Sequence, residues 1–139
     1  MMLSQDRIAL NRKMRLSLAA SAPDLSFYIA DDDYEIDENA LSAVFAFNPD
    51  ASTLLTVSSS NVWQQVGIAT LQINQPKSLV IQADELNAWD IADLGMTAFK
   101  GWRSDDFKTE VHKFNVQRVP DDKYLRINLL IYWRSKRAS

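Results

Sequence analysis

The stretch "VHKFNVQRVPDDKYLRINLLIYWR", Val111 to Arg134, holds two β-rich runs around "PDD". Pro120 is set for the second position of a tight turn, so the segment reads as a β-hairpin. Successive side chains of a strand point to opposite faces. In the second run Leu125, Ile127, Leu129, Ile131 and Trp133 therefore share one face, and Tyr124, Arg126, Asn128, Leu130, Tyr132 and Arg134 share the other. The first face belongs in a core. The second is left to grip a partner.

Working outward, residues 84 to 99 read as a helix with acids in its first turns, Lys100 at its end and Gly101 as C-cap. Val62 to Ile73 is a long strand that Pro76 ends, and "LVIQ" after it is a short strand or the lead into the helix. "SSSN" marks a turn before that strand. In "ALSAVFAF" Leu41, Ala43, Phe45 and Phe47 alternate as in a strand, and "NPD", Asn48 to Asp50, closes it as a turn. Residues 4 to 20 form a helix, because Leu10, Met14 and Leu18 recur at i, i+4, i+8 with Arg or Lys opposite, and Pro23 stops it. This order predicts an α+β fold: a mostly antiparallel β-sheet with helices packed on one face and a C-terminal β-hairpin. One domain spans residues 1–139, a length that buries about two thirds of the unfolded chain's surface.

The hydrophobic share of 47% with 24% charged residues is that of a globular chain. No run approaches the roughly 18 apolar residues of a membrane span, and "MMLSQDRIALNRKM" interleaves charges where a signal peptide keeps an apolar core. The expectation is a protein made and used in a cytoplasm, with no membrane partner. The absence of Cys excludes disulfides, thiolate metal sites and cysteine nucleophiles.

The net charge of −3 hides a polarity along the chain. Residues 1–20 hold four bases against one acid, or +3; residues 21–99 hold twelve acids against Lys77, or −11; residues 100–139 hold ten bases against five acids, or +5. The densest part is "DDDYEIDE", Asp31 to Glu38, with six acids in eight positions. It has no Gly for the bend of an EF-hand loop. As a strand it sets Asp31, Asp33, Glu35 and Asp37 on one face, where like charges repel unless they meet water, cations or bases. A solvated loop or edge strand, an acidic contact surface, and a metal or catalytic cluster are the three readings.

Little else carries chemistry. Gly occurs only at positions 67, 95 and 101, which excludes a Walker loop and a Rossmann fingerprint. His112 is the single His, so no His-based zinc site can form, and it reads as an ordinary half-exposed strand residue. The tail "RSKRAS", with Arg134, Lys136 and Arg137, is a frayed terminus, a nucleic-acid contact, or the basic side of a head-to-tail contact with a neighbour's acidic middle. A sequence pI of about 5.0 speaks against a dedicated nucleic-acid binder. Of Trp63, Trp89, Trp102 and Trp133, the last belongs in the core, and Trp102 in "KGWRSDDF" is a candidate anchor.

Three segments together, "GIATLQINQPKS", "LNAWDIADLGMTAF" and "VHKFNVQRVPDDKYLRINLLIYW", resemble the tail-terminator (tail-completion) proteins of long-tailed bacteriophages in their order of strand, helix and hairpin. The likeness covers about half the chain, Gly67 to Trp133. It implies a structural virion protein assembled in the host cytoplasm. Such a protein forms a homo-oligomeric, hexameric ring that caps the tail tube, stops its polymerisation and joins tail to neck and head. The implied partners are further copies of itself, the tail tube protein, the neck or head-completion protein, and DNA that passes through the lumen without specific binding. No catalytic residue, metal or cofactor is implied, and the chain is expected not to be an enzyme. The residues expected at the subunit interface or lumen are Asp31, Asp33, Glu35, Asp37, Arg126, Tyr132, Arg134, Lys136 and Arg137. The alternatives are another neck or tail-tube connector, a monomeric α+β ligand-binding or adaptor domain, and a hydrolase using the acidic cluster with a metal.

Overall fold

A computed structural model of the chain describes residues 2–32, 34–54 and 62–138. Its elements run α1 (Met2–Ser21), β1 (Ser26–Ile29), β2 (Ser42–Leu54), β3 (Val62–Pro76), α2 (Ala88–Phe99), β4 (Thr109–Val119) and β5 (Tyr124–Ala138). The strands form one five-stranded sheet in the order β1, β2, β3, β5, β4. Only the β1–β2 pair is parallel. The expected α+β class, with an antiparallel majority and a C-terminal hairpin, is what the chain adopts.

Both helices pack on the same face. The α1 stripe of Leu10, Met14 and Leu18 is fully buried against Ala43 and Phe45 of β2, Ala69, Leu71 and Ile73 of β3, and Ile127, Leu129 and Ile131 of β5. Alternation in the strands and the four-residue step in α1 thus meet in one apolar layer. Burying each Leu, Ile or Phe there contributes about 1.5–3 kcal/mol relative to leaving it exposed. No described element covers the opposite face, which carries Ile68, Thr70, Leu130 and Tyr132 in half-buried positions.

Several boundaries differ from the sequence reading. Asn48 to Asp50 do not close β2 as a turn, for β2 continues to Leu54 and the register shifts between Pro49 and Ser52. The shift marks a bulge at Pro49, and β1 pairs only as far as Phe45, so the missing Pro49 N–H faces no partner strand. The second helix begins at Ala88 instead of Asp84. Asn87 is its N-cap: its side chain accepts from the Asp90 N–H at 3.0 Å, and the Asp90 carboxylate accepts from the Asn87 N–H at 2.9 Å. Residues 79–82, "LVIQ", are neither strand nor helix. Lys100 is the C-cap, and Gly101 follows it at φ 67°, a left-handed position that suits a residue without Cβ. "SSSN", at positions 58–61, lies outside the described residues.

The tail is the largest correction. "RSKRAS" does not fray at its start, because β5 runs to Ala138 beside β3, pairing Arg137 with Trp63 and Ala138 with Val62.

Candidate functional site

The acidic stretch owes its existence to topology. Two parallel strands cannot be joined by a tight turn, since the chain must travel back along the sheet, which takes about a dozen residues. The return between β1 and β2 is made by residues 30–41, of which 30–32 and 34–41 are described and form turn and irregular backbone. Asp31, Asp32, Glu35, Asp37 and Glu38 are exposed, and none has an ion-pair partner among the described residues. Asp33 lies outside the described residues. Tyr34 stacks on Tyr28 with ring centroids 5.1 Å apart. Since Tyr28 pairs with Val44, its side chain stands on the face away from the helices, and the loop folds toward that open face.

The basic residues singled out from sequence sit elsewhere. Arg126, Tyr132, Arg134 and Lys136 line the open face of β5, as alternation requires. Arg126 is committed to Asp121 at 3.2 Å and to Asn74 Oδ1 at 2.8 Å. Arg134 is paired with Glu110, and Lys113 Nζ lies 5.1 Å from the Tyr132 ring centroid. Lys136 is exposed with no ion pair among the described residues. The acidic and basic sets are not brought together within the chain: one lies by the β1 edge, the other beside β4. His112 is exposed at a register shift of β4 between Val111 and Lys113.

Arg137 does not belong with them. It is 4% exposed and its guanidinium is spent inside the chain. Nε donates to Asp6 Oδ1 at 3.1 Å, Nη1 to Asp106 Oδ2 at 2.6 Å and to Gln5 Oε1 at 3.0 Å, and Nη2 to Thr109 Oγ1 at 2.8 Å. Asp6 is fully buried and also accepts from the Thr109 hydroxyl at 2.7 Å and the Ser135 hydroxyl at 2.8 Å. A buried carboxylate is tolerated only when so paired. The sequence carried a signal for it: Asp6 stands four residues before Leu10, at the head of the stripe Leu10, Met14, Leu18, Ala22.

The segment before β4 is held by the same joint. The Ser104 hydroxyl donates to Asp106 Oδ1 at 2.5 Å, and the Thr109 N–H donates to Ser104 Oγ at 3.0 Å. Asp106 titrates well below its ordinary 3.8, at about 2, first because of the Ser104 hydrogen bond and then because of Arg137. The sign follows from linkage. A depressed carboxylate contributes stability above pH 3.8 and loses it as the pH falls through that value toward about 2. Because the Asp106 side chain is 44% exposed, solvent screening keeps the contribution small. Carboxyl carbon shifts followed by NMR are expected to give Asp106 a midpoint near 2, and Ser104→Ala is expected to raise it toward 3.8. A parent midpoint at or above 3.8 overturns this account.

At the tip of this segment Phe107 is 76% exposed and sits at φ 60°, a strained conformation for an aromatic residue. Its N–H donates to the Ser104 carbonyl at 2.8 Å. Beside it, an open groove of about 530 Å³ runs along α1, with Ile8, Arg12, Lys13 and Leu16 on the helix side and Trp102 and Asp105 opposite. Trp102 is half-buried and meets Phe99 edge-on, with ring centroids 5.2 Å apart.

No protein-family model matches the chain, and no curated protein does. The fold is nonetheless a recurrent one, matched by 24 solved chains. One of these, whose name describes no activity, superposes with a TM-score of 0.69 over 93% of this chain and 92% of its own, at 13% sequence identity. A likeness at that identity establishes shared architecture: α+β, two helices on one face of a five-stranded sheet.

Proposed function

We propose that the chain is a structural virion subunit that forms a ring, caps a phage tail tube, stops its polymerisation and joins tail to neck and head. The observation that carries this reading is unpaired charge of opposite sign on different parts of one small molecule. The exposed acids of residues 31–38 lie by the β1 edge, whereas Arg7, Arg12, Lys13 and Arg15 of α1 have no carboxylate partner among the described residues. Complementary patches on different sides of a subunit join head to tail, and such contacts close into a ring when the rotation permits.

The open sheet face and the outer edge of β4 beyond Val111, where the pairing with residues 102–104 ends, offer further surface for neighbours. A ring with one face complementary to the last tube ring and another that accepts no tube subunit binds without propagating. Acids turned to its lumen repel phosphate, so DNA passes without sticking. A neck or tube connector uses the same contact logic and differs in where it sits on the virion.

Light scattering is expected to show an oligomer at low salt that weakens at about 1 M salt, where the screening length falls to ~3 Å. Electron microscopy is expected to show rings at the ends of tail tubes. A single copy at every salt, with tube ends left bare, overturns the reading.

A further inference from the structure

We infer that the exposed groove on α1 is the seat for the acidic loop of a neighbouring copy, residues 31–38; this rests on the ring reading above. The helix carries two stripes at the four-residue step. One, from Asp6 to Ala22, is buried; the other, Ile8, Arg12 and Leu16, faces out. Ile8 is 54% exposed and Leu16 55% exposed, an unusual state for two large aliphatic residues on the same face of one helix. Trp102 walls the groove on the other side, and Arg12 and Lys13 stand along it without carboxylate partners among the described residues. An apolar trough beside two free cations fits an acidic segment with apolar side chains set into it.

The loop has that composition. Tyr34 and Ile36 are interleaved with acids, and Tyr34 is 41% exposed. In an extended segment residues two apart point to one side, about 7 Å from each other. Ile8 and Leu16 are eight residues apart on a helix, about 12 Å. Tyr34 and Ile36 therefore fit between them, and the acids around them bring negative charge to the side of α1 that holds Arg12 and Lys13. Asp105 on the far side carries the loop's own sign, so the acids are expected to lie on the α1 side of the groove.

The loop of the same chain is badly placed for this seat. It joins β1, one edge strand, to β2, whereas Trp102 and Asp105 precede β4, the other edge strand. Four inter-strand gaps separate the edges, about 19 Å. Tyr34 also stacks on the sheet face opposite α1. The two patches are complementary but sit on opposite edges and faces, the arrangement of a head-to-tail contact.

Charge reversal tests the contact from both sides. Arg12→Glu with Lys13→Glu makes one variant; Asp31→Lys, Glu35→Lys and Asp37→Lys make the other. All five positions are surface charges outside the core, so both variants are expected to fold. Each alone is expected to stay single at low salt, and an equimolar mixture is expected to assemble, because each variant's groove then matches the other's loop. A synthetic peptide of residues 29–40, titrated into the full chain, is expected to shift NMR signals of Ile8, Leu16 and the Trp102 indole. The groove variant is expected to bind it at least tenfold more weakly.

Rings that persist in either variant alone, or a mixture that stays single while the parent assembles, overturn the seat and leave the ring reading standing. If the parent never assembles, even on tubes, the ring reading falls and the peptide decides the seat. Saturable shifts in the groove support it; their absence overturns it.

Discussion

Asp6→Ala is expected to cost about 3–5 kcal/mol of folding stability, the usual loss when one partner of a buried ion pair is removed and the other stays buried. Arg137 would keep Asp106 and Gln5 on Nη1, but its Nε, 3.1 Å from Asp6 Oδ1, would lose its acceptor. The Ser135 hydroxyl, which donates to Asp6 Oδ2 at 2.8 Å, would lose its acceptor as well. The penalty comes from stranded donors, since the net worth of a buried pair against an apolar replacement is close to zero. Combining Asp6→Leu with Arg137→Met is therefore expected to recover part of the loss, because the buried Ser135 and Thr109 hydroxyls still lack the Asp6 acceptor. Urea denaturation of Asp6→Leu, Arg137→Met and the double variant gives the coupling energy directly. A single-variant loss below about 1 kcal/mol would show that the joint does not hold α1 to the end of β5.

The second large effect is expected at Trp133, for which substitution by Ala costs about 3–5 kcal/mol. Its indole is fully buried and stacks on Phe47 with centroids 4.9 Å apart and planes at 18°. Register sets Gly67 directly opposite Trp133, so the ring crosses the one position in β3 that has no side chain in its way. A Cβ on Gly67 would lie 2.5 Å from Trp133 Cζ2 and 2.5 Å from the Asn48 carbonyl oxygen. Gly67→Ala is thus expected to destabilise by about 1–3 kcal/mol, although Ala is the better residue for a strand interior. Adding Trp133→Leu relieves only the indole clash and leaves the backbone carbonyl in place, so the cycle is expected to show partial rescue. Thermal and urea unfolding of the four proteins checks this, and a Gly67→Ala variant as stable as the parent would contradict the packing. The indole N–H has no acceptor within the described chain, so its removal relieves a desolvation cost and offsets a small part of the lost packing.

Both cases bear on what a sequence shows. The hairpin and the α1 stripe were legible because their signals are local. The inward set Ile127, Leu129, Ile131 and Trp133 is fully buried, as its period of two requires. The start of α2 was misplaced because the acids before it resemble a first turn, and only the reciprocal Asn87 and Asp90 hydrogen bonds mark the real cap. Pro49 read as a turn because a proline is compatible with a strand only where its N side has no neighbour, which depends on how far β1 reaches. Among the expected interface residues, the described acids of the loop, together with Arg126, Tyr132, Arg134 and Lys136, stand where a neighbour can reach them. Arg137 does not: it continues the inward alternation of Ile127, Leu129, Ile131 and Trp133, and only the extension of β5 to Ala138 separates it from Lys136.

The sequence by itself determined the two helices and the strands β2 to β5 apart from some of their ends, which face of each is apolar, and the segregation of charge along the chain; β1 it did not mark. Periodicity and charge count depend on neighbours a few residues away. Tertiary structure decided that β1 runs parallel to β2, which turns the acidic stretch into an exposed return loop. It also decided that Asp6 meets Arg137 across 131 positions and that Ile8 and Leu16 are left uncovered. These depend on which surfaces the packed elements exclude from water, and no local pattern contains that information.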